Sequence, residues 1–187
     1  GPFCGQLLGD FGAEVIKVQS VKTAHGAESN VTPYFNAWNR NKLSITLDMS
    51  RCEGRELALK LVKISDVVIE NFTPRVMANW GLNYETLKQV RPDLIMASLS
   101  GMGQTGPWKD FAVLGYTLQA LTGLTYLTSP SEDSPAGIGY AYADPLAGLV
   151  AALAVLGALE HRRKAGQGQY LDISEYEAIS ALLGPAL

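Results

Sequence analysis

The chain has 187 residues, a net charge of -3 and 47% apolar residues. That balance excludes a disordered chain and a nucleic-acid binder held by bulk charge, and leaves a globular enzyme domain with a sizeable core. Cys4 and Cys52 have neither metal-ligand nor disulfide-framework spacing. Both read as small buried hydrophobes of a protein in the reducing cytoplasm.

In chain order, Pro2 to Phe11 carries Phe3, Leu7, Leu8 and Phe11 at helical spacing, and Gly12 ends it. Val15 to Val18 reads as a short strand, followed by a polar surface loop from Gln19 to Thr32 in which His25 is solvated. Tyr34, Phe35 and Trp38 precede Asn39, Arg40, Asn41 and Lys42. Such a cluster could stack on a nucleotide base, but packing under a loop suits it better. Leu43 to Leu47 is a strand. Asp48 and Ser50 follow as N-cap candidates, with Glu53 three after Ser50 as in a capping box. That helix runs to about Ile64, with Leu57, Leu61 and Ile64 on one face.

Asp66 to Asn71 is the next strand, and its apolar middle suits a sheet covered on both faces. Thr73 and Pro74 open a helix that Gly81 stops. Tyr84 to Val90 is another helix, and Leu94 to Ser100 a buried strand. A helix spans Leu114 to Leu121, and a loop rich in Pro and Gly runs from Ser129 to Gly139. Tyr170 to Ser174 is a last strand and Glu175 to Leu183 a last helix. Strands alternating with helices predict a single α/β domain, with a mainly parallel sheet and helices on both faces. The chain opens and closes inside helical patterns, so both edges are expected to be cut.

The longest helical stretch lies within Ala141 to Lys164. Asp144 and Pro145 are placed as an N-cap and first turn, and no charge occurs from Leu146 to Leu159. That run is shorter than the roughly 20 apolar residues that cross a bilayer, so a rod in the middle of the core is expected, and no membrane partner. His161, Arg162, Arg163 and Lys164 suit its negative end, and Gly166 stops it. An aspartate in this place is most often only a cap. The two roles are compatible, because amide groups and the helix dipole keep it ionised and an ionised carboxylate can attack an acyl carbon.

In parallel sheets ligands bind beyond the carboxyl ends of the strands. That rule selects Gln19 and Ser20; Asp48 and Met49; Asn71, Phe72 and Thr73; and Ser100 to Gly106. Gly101, Gly103 and Gly106 match dinucleotide-binding spacing, but Pro107, Trp108, Lys109 and Asp110 follow where a helix should begin, so a glycine-rich pocket wall is the better reading. A serine-hydrolase elbow, a P-loop and metal-ligand spacing are all missing from the sequence.

Five stretches together carry a family resemblance: GPFCGQLLGDFGAEVIKV, NRNKLSITLDM, SDVVIENFTP, GLNYETLKQVRPDLIMASLSGMGQTGP and DPLAGLVAALAVLGALEHRRKAGQGQYLDIS. Over essentially its whole length the chain resembles class III CoA-transferases, the CaiB/BaiF family. The resemblance implies a Rossmann-like large domain and a homodimer of interlocked chains. Residues 1–187 would be one partial large domain, lacking the small domain and the returning carboxyl-terminal segment. It implies acyl-CoA and a small carboxylic acid as substrates, coenzyme A as the group moved, no metal and no nucleic acid.

The family's nucleophilic aspartate falls on Asp144. Its CoA contacts fall on Leu47, Asp48, Met49 and Ser50, and on Asn71, Phe72 and Thr73. Cations that some members use for phosphates are replaced here by Ser20, Ser50 and Asn79, and Arg75 is expected to substitute. Racemases of the same family use a histidine where this chain has Leu114, and some transferases a second acid where it has Gly115. Those differences favour transfer over racemisation; a catalytically idle CoA-binding module is the other alternative.

Overall fold

A computed structural model describes residues 1–20, 32–131 and 133–184. His25 and most of the expected Gln19–Thr32 loop lie outside the described residues. The elements are α1 (Pro2–Asp10), β1 (Val15–Gln19), α2 (Pro33–Asn39), β2 (Lys42–Thr46), α3 (Cys52–Ile64), β3 (Val67–Glu70), α4 (Val76–Asn79) and α5 (Tyr84–Val90). They continue with β4 (Ile95–Ser100), α6 (Gly115–Leu121), α7 (Leu124–Thr128), α8 (Ala143–Ala165), β5 (Tyr170–Ser174) and α9 (Glu175–Leu182).

All strand pairs are parallel, as expected. Among the described residues they form two sheets, β1-β2 and β3-β4-β5, because no ladder joins β1 to β3. The period-2 alternation of β4 assigns the two faces of the larger sheet. Ala97 and Leu99 pack with Val67, Ile69, Leu171 and Ile173 against Cys4 of α1 and Ala151, Ala152 and Val155 of α8. Met96 and Val68 face the other way, against Ala58 and Val62 of α3 and Leu87 of α5. Every residue of β4 is buried, and each fully buried leucine such as Leu99 contributes about 1.5–3 kcal/mol.

Small residues let α8 approach its neighbours closely. Ala143, Ala147, Gly148, Ala151, Ala152, Val155 and Ala158 form its buried stripe. A Cβ on Gly148 would stand 2.9 Å from Phe3 Cβ and 3.1 Å from the Cys4 amide, so only glycine admits α1 here. The opposite face is not in the core: Leu149, Leu153 and Leu156 are 44%, 63% and 54% exposed. The helix has 23 residues and is long and apolar enough to cross a membrane by length and composition alone, although its small face is packed against α1 and the sheet. At its end Gly166 takes a positive φ of 69°, and its amide donates to the Arg162 carbonyl.

Several local expectations are corrected. Asp144 is not the N-cap of α8; Tyr142 is, and Asp144 sits in the first turn with no capping bond. The Ser50 hydroxyl bonds to Asp48 Oδ1 instead of capping α3, whose N-cap is Arg51. The buried stripe of α3 is Gly54, Ala58 and Val62, leaving Leu57 and Ile64 exposed. Cys4 is buried, but Cys52 is exposed because it opens α3 on its solvent side. The aromatic segment folds into α2, capped by the Thr32 hydroxyl on the Phe35 amide, and the short α7 was not anticipated.

Candidate active site

Asp144 lies at the mouth of a cleft of about 210 Å³ walled by Trp38, Tyr116, Tyr140 and Ala141. Two residues of α6 set its position. Gly115 is so close that a Cβ there would meet Asp144 Oδ2 at 2.5 Å and Ala141 Cβ at 2.9 Å. One turn on, and on the same face of the helix, buried Gln119 accepts a hydrogen bond from the Tyr142 amide at 3.0 Å. The start of α8 is thus seated against α6 by one missing side chain and one amide oxygen.

Solvent reaches Asp144, yet surrounding protein withdraws enough water to raise its carboxyl above the ordinary 3.8, outweighing a backbone amide that pulls it down. Glu175, first residue of α9, is also raised, chiefly by burial and next by the charge of Asp144. The charge of Asp144 thus reaches a second carboxyl, where the sequence had singled out one. Gly1, the N-cap of α1, lies against the Asn71 side chain, which sets the end of β3 beside the start of α1.

The other sequence-selected residues do sit at strand ends. Leu47 continues β2, its amide bonding to the Gln19 carbonyl at 2.9 Å, and Leu47 and Met49 pack on the α3 side of the core. Asp48 accepts bonds from the Ser50 amide and hydroxyl. Asn71 is exposed, and Phe72 is 43% exposed with its ring edge-to-face on Trp80 at 5.2 Å. Thr73 and Arg75 border a second cavity of about 350 Å³ that also touches Glu70, Ser98, Gln104 and Tyr170. Arg75 has a φ of 81° and its guanidinium is paired with Asp110 at 2.8 Å. The glycine turn from Gly101 to Gly106 contains no helix, which begins only at Gly115.

Asn39, Arg40, Asn41 and Lys42 do not form a nucleotide platform. Lys42 Nζ donates to the carbonyls of Pro2 and Trp38 and to Asn39 Oδ1, at 2.7, 2.8 and 3.1 Å. Arg40 and Asn41 both bind Asp10. These side chains tie α2 to α1.

A family model described as CoA-transferase family III matches residues 1–187. The chain belongs to CoA-transferase family III. Among its relatives in this family is succinyl-CoA--D-citramalate CoA-transferase of Chloroflexus aurantiacus, 43% identical over 98% of this chain and 47% of that protein. Another is succinate--glutarate CoA-transferase of Agrobacterium fabrum, 39% identical over 98% of this chain and 49% of that protein. A CaiB/BaiF family protein of Brucella suis has a crystal structure similar to this fold, with a TM-score of 0.92 and 38% identity over 98% of this chain and 51% of that one. The family III chain thus spans about half the length of the curated relatives it matches.

Trp38, Tyr116, Tyr140 and Glu175 were not singled out from the sequence as site residues. They come from α2, α6, the segment before α8, and α9, and only the tertiary fold assembles them.

Proposed function

We propose that the complete protein is a cytoplasmic CoA-transferase that moves CoA from an acyl-CoA thioester to a small carboxylic acid, with Asp144 as covalent nucleophile. One observation carries this reading: a carboxylate in the first turn of α8, pressed against Gly115 and opening on an aromatic cleft. The related transferases of succinyl-CoA and succinate support the substrate class. Two free cysteines suit a reducing compartment.

The chemistry balances without a proton or a metal. An Asp144 oxygen attacks the thioester carbonyl, the C–S bond breaks, and CoA thiolate leaves a mixed anhydride. The thiolate attacks the aspartyl carbonyl, releasing the donor acid and forming an aspartyl-CoA thioester. The acceptor carboxylate attacks that thioester, expelling thiolate and forming a second mixed anhydride. Thiolate then takes the acceptor acyl group, and the Asp144 carboxylate is restored. Backbone amides in the first turn of α8 suit the oxyanion that develops at each attack.

Asp48, Met49, Asn71, Phe72 and Thr73, at strand ends that the sheet rule selects, are proposed to hold CoA together with Leu47 beside them and Arg75 at the start of α4. Leu114, where a racemase would need a base, is 75% exposed and apolar, which favours transfer. Residues 1–187 would form one partial large domain. The uncovered leucines of α8 would be buried in a homodimer.

Incubating the complete protein with succinyl-CoA and hydroxylamine, followed by peptide mass spectrometry, tests the reading. A hydroxamate at Asp144, absent from Asp144→Asn, is expected. An unmodified Asp144 in a protein that binds CoA would favour the idle module.

A further inference from the structure

Across the larger sheet the register sets Glu70 opposite Ser98 and Ser98 opposite Asp172, so three polar side chains form a row on one face. Glu70 and Ser98 are 6% and 1% exposed, an environment that disfavours a carboxylate unless it does structural or functional work. Burial pushes the Glu70 carboxyl up, while the Phe72 amide draws it back. The Phe72 amide donates to Glu70 Oε2 at 2.7 Å. From the other side Gln104 Nε2 donates to the Phe72 carbonyl at 3.3 Å and to Ser100 Oγ at 3.3 Å. Gln104 is itself fixed, because its own amide donates to Asp172 Oδ1 at 2.8 Å. Both backbone polar groups of Phe72 are therefore held by side chains that the sheet row anchors at each end.

We infer that Glu70 and Gln104 are positioning residues that clamp the backbone of Phe72 and so preform the 71–73 segment for CoA. Neither touches the reacting atoms. The clamp fixes a segment that has left its strand and has no ladder partner of its own, which lowers the ordering cost of binding. The inference rests on the proposed role of this segment in CoA binding.

The test measures steady-state kinetics of Glu70→Ala, Glu70→Gln, Gln104→Ala and Phe72→Ala in the complete protein, with hydrogen exchange at the Phe72 amide. Glu70→Ala and Gln104→Ala are expected to raise KM for acyl-CoA about three- to tenfold with kcat little changed, the scale of one lost hydrogen bond. Glu70→Gln, whose amide oxygen still accepts from Phe72, should restore both KM and exchange protection. Should Glu70→Ala fail to fold, Gln104→Ala carries the test, because its side chain is only partly buried. A raised KM in Phe72→Ala alongside unchanged KM in both clamp variants overturns the clamp and leaves the CoA site standing. An unchanged KM in Phe72→Ala overturns both.

Discussion

Gly115 and Asp144 are in such close contact that a methyl group on the glycine would stand 2.5 Å from the carboxylate oxygen. The carboxylate is the free end of a rotatable side chain and can swing away, whereas Ala141 Cβ, at 2.9 Å from the same point, is fixed to its backbone, so the segment before α8 must shift. Gly115→Ala should therefore cost both stability and activity, activity most. A nucleophile displaced by about 1 Å loses on the order of a hundredfold in rate. We expect kcat to fall at least tenfold and the melting temperature to drop as well, from the shift forced at Ala141. Parallel thermal melts and kinetics check this, and an unchanged kcat would remove Gly115 from the site.

The raised Asp144 carboxyl sets the expected pH dependence. As the proposed nucleophile, Asp144 would attack only as an anion, and its carboxyl lies above the ordinary 3.8, so activity should begin to fall at a higher pH than for a free aspartate. Burial raises Glu175 as well, and the charge of Asp144 raises it further. Asp144 itself is raised by burial and not by Glu175, so replacing Glu175 by Gln should leave the acid limb of the kcat/KM profile in place. A limb that moves in Glu175→Gln would contradict burial as the cause of the Asp144 shift.

Arg75 and Asp110 make opposite predictions for CoA. Their ion pair is exposed at both ends, so it adds little to stability and is available for exchange. If the guanidinium holds a CoA phosphate, Arg75→Ala weakens CoA binding about three- to tenfold. Asp110→Asn removes the competitor for that guanidinium and tightens it. Titration calorimetry of both variants decides the matter, and equal affinities for wild type and Arg75→Ala would discard the phosphate role.

The sheet was legible because its strands announce themselves. Ile95 to Ser100 is a short apolar run bounded by turns, and burial on both faces leaves no other use for it. Asp144 was legible from a helix start and from the family motif, although its place in the first turn was not. Sequence spacing cannot tell whether Ala143 or Leu146 makes the first helical bond. The capping-box reading at Ser50 failed because Asp48, two residues away, captures the same hydroxyl. The start of α2 did carry a signal, Thr32 followed by Pro33, which the aromatic cluster obscured. The cleft walls and the Glu70 row had none, since they depend on register between strands far apart in the chain.

Lys42 provides a purely structural prediction within the same motif that carries the family resemblance. Its ammonium has three acceptors on α1 and α2, and burial first, then Lys17, lowers its pKa from 10.5 to about 8. A lysine whose folded value is depressed binds fewer protons folded than unfolded between those two values. Stability from this group should therefore rise with pH across that window. Lys42→Met should abolish that rise and cost about 1–3 kcal/mol at neutral pH through the unpaired carbonyls. Urea unfolding of both proteins from pH 7 to 10 measures it, and identical pH slopes would refute it.

The exposed leucines of α8 provide the last prediction. Leu149, Leu153 and Leu156 recur at helical spacing beside the small-residue stripe, so both faces of one helix are apolar while only one is packed. A helix apolar all round is buried in its working state. Because the inward stripe already fills the space against α1 and β4, a charge at Leu153 leaves those contacts untouched. Leu153→Asp should therefore keep the fold and melting behaviour of one subunit while shifting the complete protein from dimer to monomer in sedimentation. A dimer that survives Leu153→Asp at micromolar concentration would mean that α8 is not covered by a second copy. In that case the uncovered face would belong against other parts of the same chain, and the variant would instead lose thermal stability.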